Sequence, residues 1–167
     1  LKAFQRLTKR EALSIQLDLS RKPGLTDSKF GGLPYWDLQK AYPQSSDGHK
    51  LALLAQFNLD ELNRAGKNVG GQLPKSGMLQ FFLDALNDDY VYGMEMTDYD
   101  PEKGVDFRRG ADGKLLQDGF RVVYHPHIDP AVTVEAVKAI GMPDMSDDGT
   151  EHYAPLDAEF AVTLEPK

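Results

Sequence analysis

Cysteine is absent from the sequence. That excludes disulfide staples, thiolate nucleophiles and cysteine-ligated zinc, and it suits a reducing compartment such as the cytoplasm. Long hydrophobic runs are lacking too: no uninterrupted apolar stretch approaches the ~20 residues that span a bilayer, so a membrane is not expected as a partner. The opening residues lack the basic-then-apolar order of a signal peptide, and none is expected. Positive charge is scarce. Lys and Arg number 19 against 26 Asp and Glu, a net charge of −7. Phosphate binding needs clustered basic side chains, so nucleic acid is not expected either. An acidic chain can instead be drawn toward a basic protein.

What is present describes one globular domain over residues 1–167, with 41% hydrophobic and 27% charged residues and enough length for a core of its own. In "LSIQLDLS", Leu13, Ile15, Leu17 and Leu19 alternate with polar residues, the period of a half-buried strand. "LALLAQFN", from Leu51, has few polar breaks and reads as a strand covered on both faces. "SGMLQFFLD", "GFRVVYH" and "AEFAVTLE" are further strands. Asp112-Gly113 carries a hairpin-turn signal. A short helix is expected over 3–11. Asn58 with Glu61 reads as a capping pair opening another, and Thr133 caps a third that Gly141 and Pro143 stop. With no regular βαβ alternation, the fold class is mainly β or α+β: a curled, largely antiparallel sheet, β-roll-like, with short connecting helices.

Two strings resemble each other. "LLAQFNLDEL" and "GMLQFFLDAL" align at Gln56 and Gln80 and share Phe57/Phe81, Leu59/Leu83, Asp60/Asp84 and Leu62/Leu86. Neighbouring strands of one sheet reach such likeness without duplication, since structural repeats recur over 20–50 residues in several copies. The glutamines are the telling part. An amide inside an apolar strand must find partners or lose about 1–3 kcal/mol per unsatisfied group. Paired across a sheet they would hold its register; facing a hollow they would line a polar pocket.

Two motifs are candidates for chemistry. In "SKFGG", Gly31 and Gly32 permit positive φ and close backbone approach to a ligand, Lys29 can meet an anion and Ser28 can donate a hydrogen bond. With Gln56 and Gln80 these are the candidate ligand-binding residues. The competing reading has the glycines making a tight crossing and Phe30 plugging the core beside Leu33, Tyr35 and Trp36. In "HPHID", an extended backbone puts His125 and His127 on one side with Asp129, a row that could offer two imidazoles and a carboxylate to a metal. His49 or His152 would have to complete it, and structural or surface histidines are the plainer alternative. Other signals fail. "DYDPEKGVDF" begins like a calcium loop but places Arg109 where the twelfth ligand must be Glu, and "GADGKL" has too few residues between its glycines for a phosphate loop. Asp88-Asp89 reads as a solvated turn. Tyr90, Tyr92, Met94 and Met96 alternate, as edge-strand packing or as an adaptable contact surface.

"SKFGGLPYW", "LALLAQFNLDEL", "LPKSGMLQFFLD" and "DDYVYG", in this order and spacing, resemble the YwqG-like family, a bacterial family of unknown biochemical function. The match runs from Ser28 to about Tyr124. The resemblance implies a β-roll-like fold without established catalysis, and a further C-terminal section that this chain lacks, so the chain reads as truncated or as a short member. It also implies that some relatives are immunity proteins against bacterial toxins. No catalytic residue or cofactor is expected. The leading expectation is a non-catalytic module acting through protein contacts, with a basic toxin as one form of partner. The rival is a small-ligand or metal-dependent enzyme using "SKFGG" or the His125/His127 pair.

Overall fold

Gln56 and Gln80 lie directly opposite each other on adjacent antiparallel strands, β3 (Ala52–Asn58) and β4 (Met78–Leu83). The similar strings are therefore sheet neighbours. Their aspartates do different work: Asp60 accepts from the Gly77 N–H, whereas Asp84 accepts from the Leu86 N–H and faces His49. Around this pair the computed structural model, which describes residues 12–66, 73–87, 90–91, 93–116, 118–143 and 155–166, builds one open sheet. With β1 (Leu13–Asp18), β2 (Lys29–Phe30), β8 (Phe120–His125) and β9 (Phe160–Pro166), its order is β1-β9-β2-β3-β4-β8, every pairing antiparallel. A smaller sheet joins β5 (Tyr90–Val91), β6 (Met94–Asp100) and β7 (Gly104–Phe107). Two short helices, α1 (Leu59–Arg64) and α2 (Val134–Lys138), serve as connections. The fold is mainly β, as the alternation implied. The helix expected over 3–11 and the residues Asp88, Asp89, Tyr92 and His152 lie outside the described residues.

Capping chemistry opens both helices. The Asn58 side chain accepts from the backbone N–H groups of Asp60 and Glu61, and the Thr133 hydroxyl accepts from that of Ala136. The Asp112-Gly113 turn closes between Arg109 and Leu115, with Gly113 at φ 75°.

The two sheet faces differ. On the inner face, Trp36, Leu51, Leu53, Phe82 and Val137 form the core, with Tyr42 and Met142 packed against it. Trp36 meets Tyr42, Phe82 and His125 edge-on at centroid separations of 4.9, 5.9 and 4.8 Å, geometry the ring quadrupoles favour. The outer face is apolar as well. Strand pairing aligns Ile15 with Leu164, Leu17 with Val162, Phe30 with Phe160 and Phe81 with Val122, and Phe57 sits edge-on to Phe30 and Phe81.

Two expectations change here. The leucine face of β1 is covered only in part: Leu13 is half-buried, but Ile15 and Leu17 are 46% and 54% exposed, because β1 is an edge strand turning its apolar side onto this outer face. Phe30 does not plug the core beside Trp36. It lies one residue from inward-facing Lys29, so strand alternation sends it outward.

Candidate functional site

Pairing across the six strands aligns Asp18, Ala161, Lys29, Gln56, Gln80 and Val123 in one row on the inner face. Three of the six "SKFGG"-plus-glutamine residues stand in that row, Lys29, Gln56 and Gln80, and their side chains, like that of Ser28 beside them, are buried. Each reaches for backbone or for a neighbouring side chain. Gln56 Nε2 donates to the carbonyls of Leu25 and Asp27, both at 2.8 Å, and its Oε1 accepts from the Tyr35 N–H at 3.0 Å. Gln80 Nε2 donates to the Tyr35 carbonyl at 2.6 Å and to Gln56 Oε1 at 3.2 Å. The two amides thus tie the segment from Leu25 to Tyr35 onto the sheet and fix the β3–β4 register.

Ser28 has a different task. Its hydroxyl accepts from the Asn58 N–H at 2.9 Å and donates to Glu61 Oε2 at 3.2 Å. The expected capping pair is therefore completed through a third residue: Glu61 reaches the Asn58 amide by way of the Ser28 hydroxyl. Ser28→Ala leaves a buried N–H without its acceptor and is expected to lower unfolding free energy by about 1–2 kcal/mol, read from urea midpoints at constant m-value.

Lys29 is a buried cation. Its Nζ donates to the Gly24 carbonyl at 3.1 Å and lies 3.6 Å from Glu159 Oε2. Burial lowers its pKa and the Glu159 carboxylate works against that shift. The same carboxylate holds exposed Lys22 through its other oxygen at 3.3 Å. Glu159 therefore bridges a surface ammonium and a buried one. The sequence places it only within the strand "AEFAVTLE". The β2–β9 register, which sets Lys29 opposite Ala161, is what brings it to Lys29.

Gly31 and Gly32 are placed apart from these side chains, on the wall of a cleft of about 860 Å³. Both have positive φ, 64° and 69°, and a Cβ would fall 2.4 Å from the Ala158 carbonyl at the first and 2.5 Å from a Glu159 carboxylate oxygen at the second. Only glycine lets the chain pass this close, and the passage seats Glu159. The cleft has an apolar floor including Leu33, Tyr42, Leu53 and Met142, and a rim carrying Arg21, Lys22, Lys138, Asp157 and Glu159.

The "HPHID" residues are not gathered. β8 ends at His125, and the chain bends at Pro126 and His127, so the same-side geometry of an extended run is lost. His125 is buried between Tyr35 and Trp36, with ring centroids at 5.4 and 4.8 Å, while His127 and Asp129 are exposed. Among the described residues no group of three or more His, Asp or Glu side chains could hold a metal ion, and His49 is engaged with Asp84 at 3.3 Å. Burial, and secondarily the charge of Lys40, lowers the His125 pKa to about 4. Neither ring nitrogen has a hydrogen-bond partner among the described residues; the edge-on aromatic rings are its neighbours instead.

Comparison with known families finds one match by sequence model, a domain of unknown function, DUF1963, covering residues 28–166. No curated protein matches the chain. Among the described residues no helix is long and apolar enough to cross a membrane.

Proposed function

We propose that this chain, which belongs to the DUF1963 family of unknown function, is a non-catalytic binding module that meets a protein partner on the outer face of its sheet. The observation that carries the reading is an apolar hollow on that face, where Leu59 and Leu62 of α1 meet Phe57, Leu79 and Phe81 of the sheet, with exposed apolar residues on both edge strands. Val122 and Tyr124 on one edge strand are 59% and 39% exposed, matching Ile15 and Leu17 on the other. Six strands at ~4.8 Å spacing set these edges roughly 24 Å apart, a breadth suited to a protein interface. Scattered exposed leucines need no explanation, but an apolar hollow flanked by exposed apolar residues on both edges marks an interaction site. The net charge of −7 favours a basic partner through steering and complementarity. Engagement of Ser28, Lys29, Gln56 and Gln80 within the protein supports a module without catalysis. A YwqG-like bacterial protein of the cytoplasm, inhibiting a basic toxin in the manner of an immunity protein, is the finer form of the same reading.

Site-specific photocrosslinking in the native host tests it. A photoreactive residue at Leu17 or Val122 is expected to yield an adduct with another protein that the same residue at Lys103, in the turn between β6 and β7, does not. The purified partner should bind the Leu17→Glu/Val122→Glu variant at least about tenfold more weakly, since burying two unpaired carboxylates in the contact costs more than the ~1.4 kcal/mol that a tenfold loss requires. Adducts no different from the Lys103 control, adducts only with a second copy of the chain, or a partner indifferent to the double variant would overturn the proposal.

A further inference from the structure

We infer that the cleft beside Gly31 and Gly32 binds a small amphiphilic anion, a carboxylate or phosphate head on an apolar body. Volume comes first: about 860 Å³ lies within the range of small-molecule sites. The lining then divides by chemistry. Leu33, Tyr42, Leu53 and Met142 make an apolar floor, while three basic side chains, Arg21, Lys22 and Lys138, face two acidic ones, Asp157 and Glu159. Arg21 is neutralised by Asp18 and Asp27, so Lys22 and Lys138 stand against Asp157 and Glu159 in a rim of balanced charge, within a chain whose net charge is −7.

Glu159 shows how the rim treats an anion. Its carboxylate already sits between Lys22 at 3.3 Å and Lys29 at 3.6 Å, pressed there by the side-chain-free passage of Gly31 and Gly32. Arg21 is engaged by Asp18 and Asp27, so Lys22 and Lys138 are the cations open to exchange. An incoming carboxylate or phosphate takes Lys22 from Glu159 and gains Lys138, while its apolar body covers Tyr42 and Met142. Glu159 acts as an internal competitor, and affinity rises when it is neutralised.

The test is titration of the intact chain with octanoate and with octyl phosphate, followed by NMR, with octanol as the uncharged control. Both anions are expected to bind saturably at one site, shifting resonances of Tyr42 and Met142, with octanol at least about tenfold weaker; whichever anion binds more tightly identifies the head group. Lys22→Ala with Lys138→Ala should weaken binding about tenfold, and Glu159→Gln should strengthen it severalfold. Because Glu159→Gln also removes a partner from buried Lys29, the lysine variants, both at exposed positions, carry the test if that variant unfolds. Leu17→Glu, on the other face, should leave anion binding unchanged, which separates this site from the protein-docking face. Equal binding of octanol and octanoate, indifference to the lysine variants, or loss of binding in Leu17→Glu would overturn the inference.

Discussion

Gln56→Leu is expected to remove about 3–5 kcal/mol of folding free energy, a large loss for one side chain. Leucine is one heavy atom shorter and branches one carbon earlier, so packing contributes a part, but the larger effect is polar. It comes from the groups left behind: the Tyr35 N–H loses its acceptor, the Leu25 and Asp27 carbonyls lose their donor, and Gln80 Nε2 loses one of its two acceptors. These groups lie in or beside the buried inner face, where each loss of a partner costs about 1–3 kcal/mol. Gln56→Glu keeps the shape but turns the donating nitrogen into an oxygen facing two carbonyls, and should cost at least as much. Gln80→Leu should cost less, about 1–2 kcal/mol, because Gln80 makes only two bonds and its own Oε1 has no partner among the described residues. Urea unfolding of the two leucine variants and their double measures the coupling, which should reach about 0.5–3 kcal/mol for residues sharing one network. A Gln56→Leu protein within 1 kcal/mol of the parent would mean that the amide is not what holds the Leu25–Tyr35 segment.

His125 produces the second large effect, and it depends on pH. Its folded pKa of about 4 lies below the ordinary value of 6.5 because burial between Tyr35 and Trp36 disfavours the imidazolium. The unfolded chain therefore binds a proton first. Stability is complete above pH 6.5 and falls as pH drops toward 4. With 1.36 kcal/mol per pKa unit, the loss between pH 7 and pH 5 is about 2 kcal/mol. The measurement is a difference against a variant: His125→Phe, which keeps a ring against Trp36 and cannot be protonated, should lose about 2 kcal/mol less than the parent over the same interval. If parent and variant show parallel pH profiles, the imidazole is not buried in its neutral form.

Much of the fold was legible, because alternation is a local signal. The period-2 leucines of β1, the two-sided apolar run of β3 and the Asn58 and Thr133 caps each appear within a few residues of sequence. What was not legible depends on register between distant strands. Nothing near Glu159 announces that β9 pairs with β2 and so delivers a carboxylate to Lys29. Nothing near Ile15 states whether its side of the sheet is covered. The six-residue candidate ligand set was divided by the same cause. Four members share the inner face or its margin and bond within the protein, whereas the two glycines lie where the chain leaves β2 and meets the cleft. "HPHID" shows the opposite limit: local geometry implied a common side only while the backbone stayed extended, and the bend after His125 removed that condition.

Gln56 also has a consequence for the order of assembly. Its amide is satisfied by residues 21 to 31 positions earlier in the chain, at Tyr35, Asp27 and Leu25. A hairpin of β3 and β4 formed alone would enclose two amides with only each other to bond. Closing that hairpin into a dry interior is therefore tied to arrival of the upstream loop, and the two must lock as one cooperative unit.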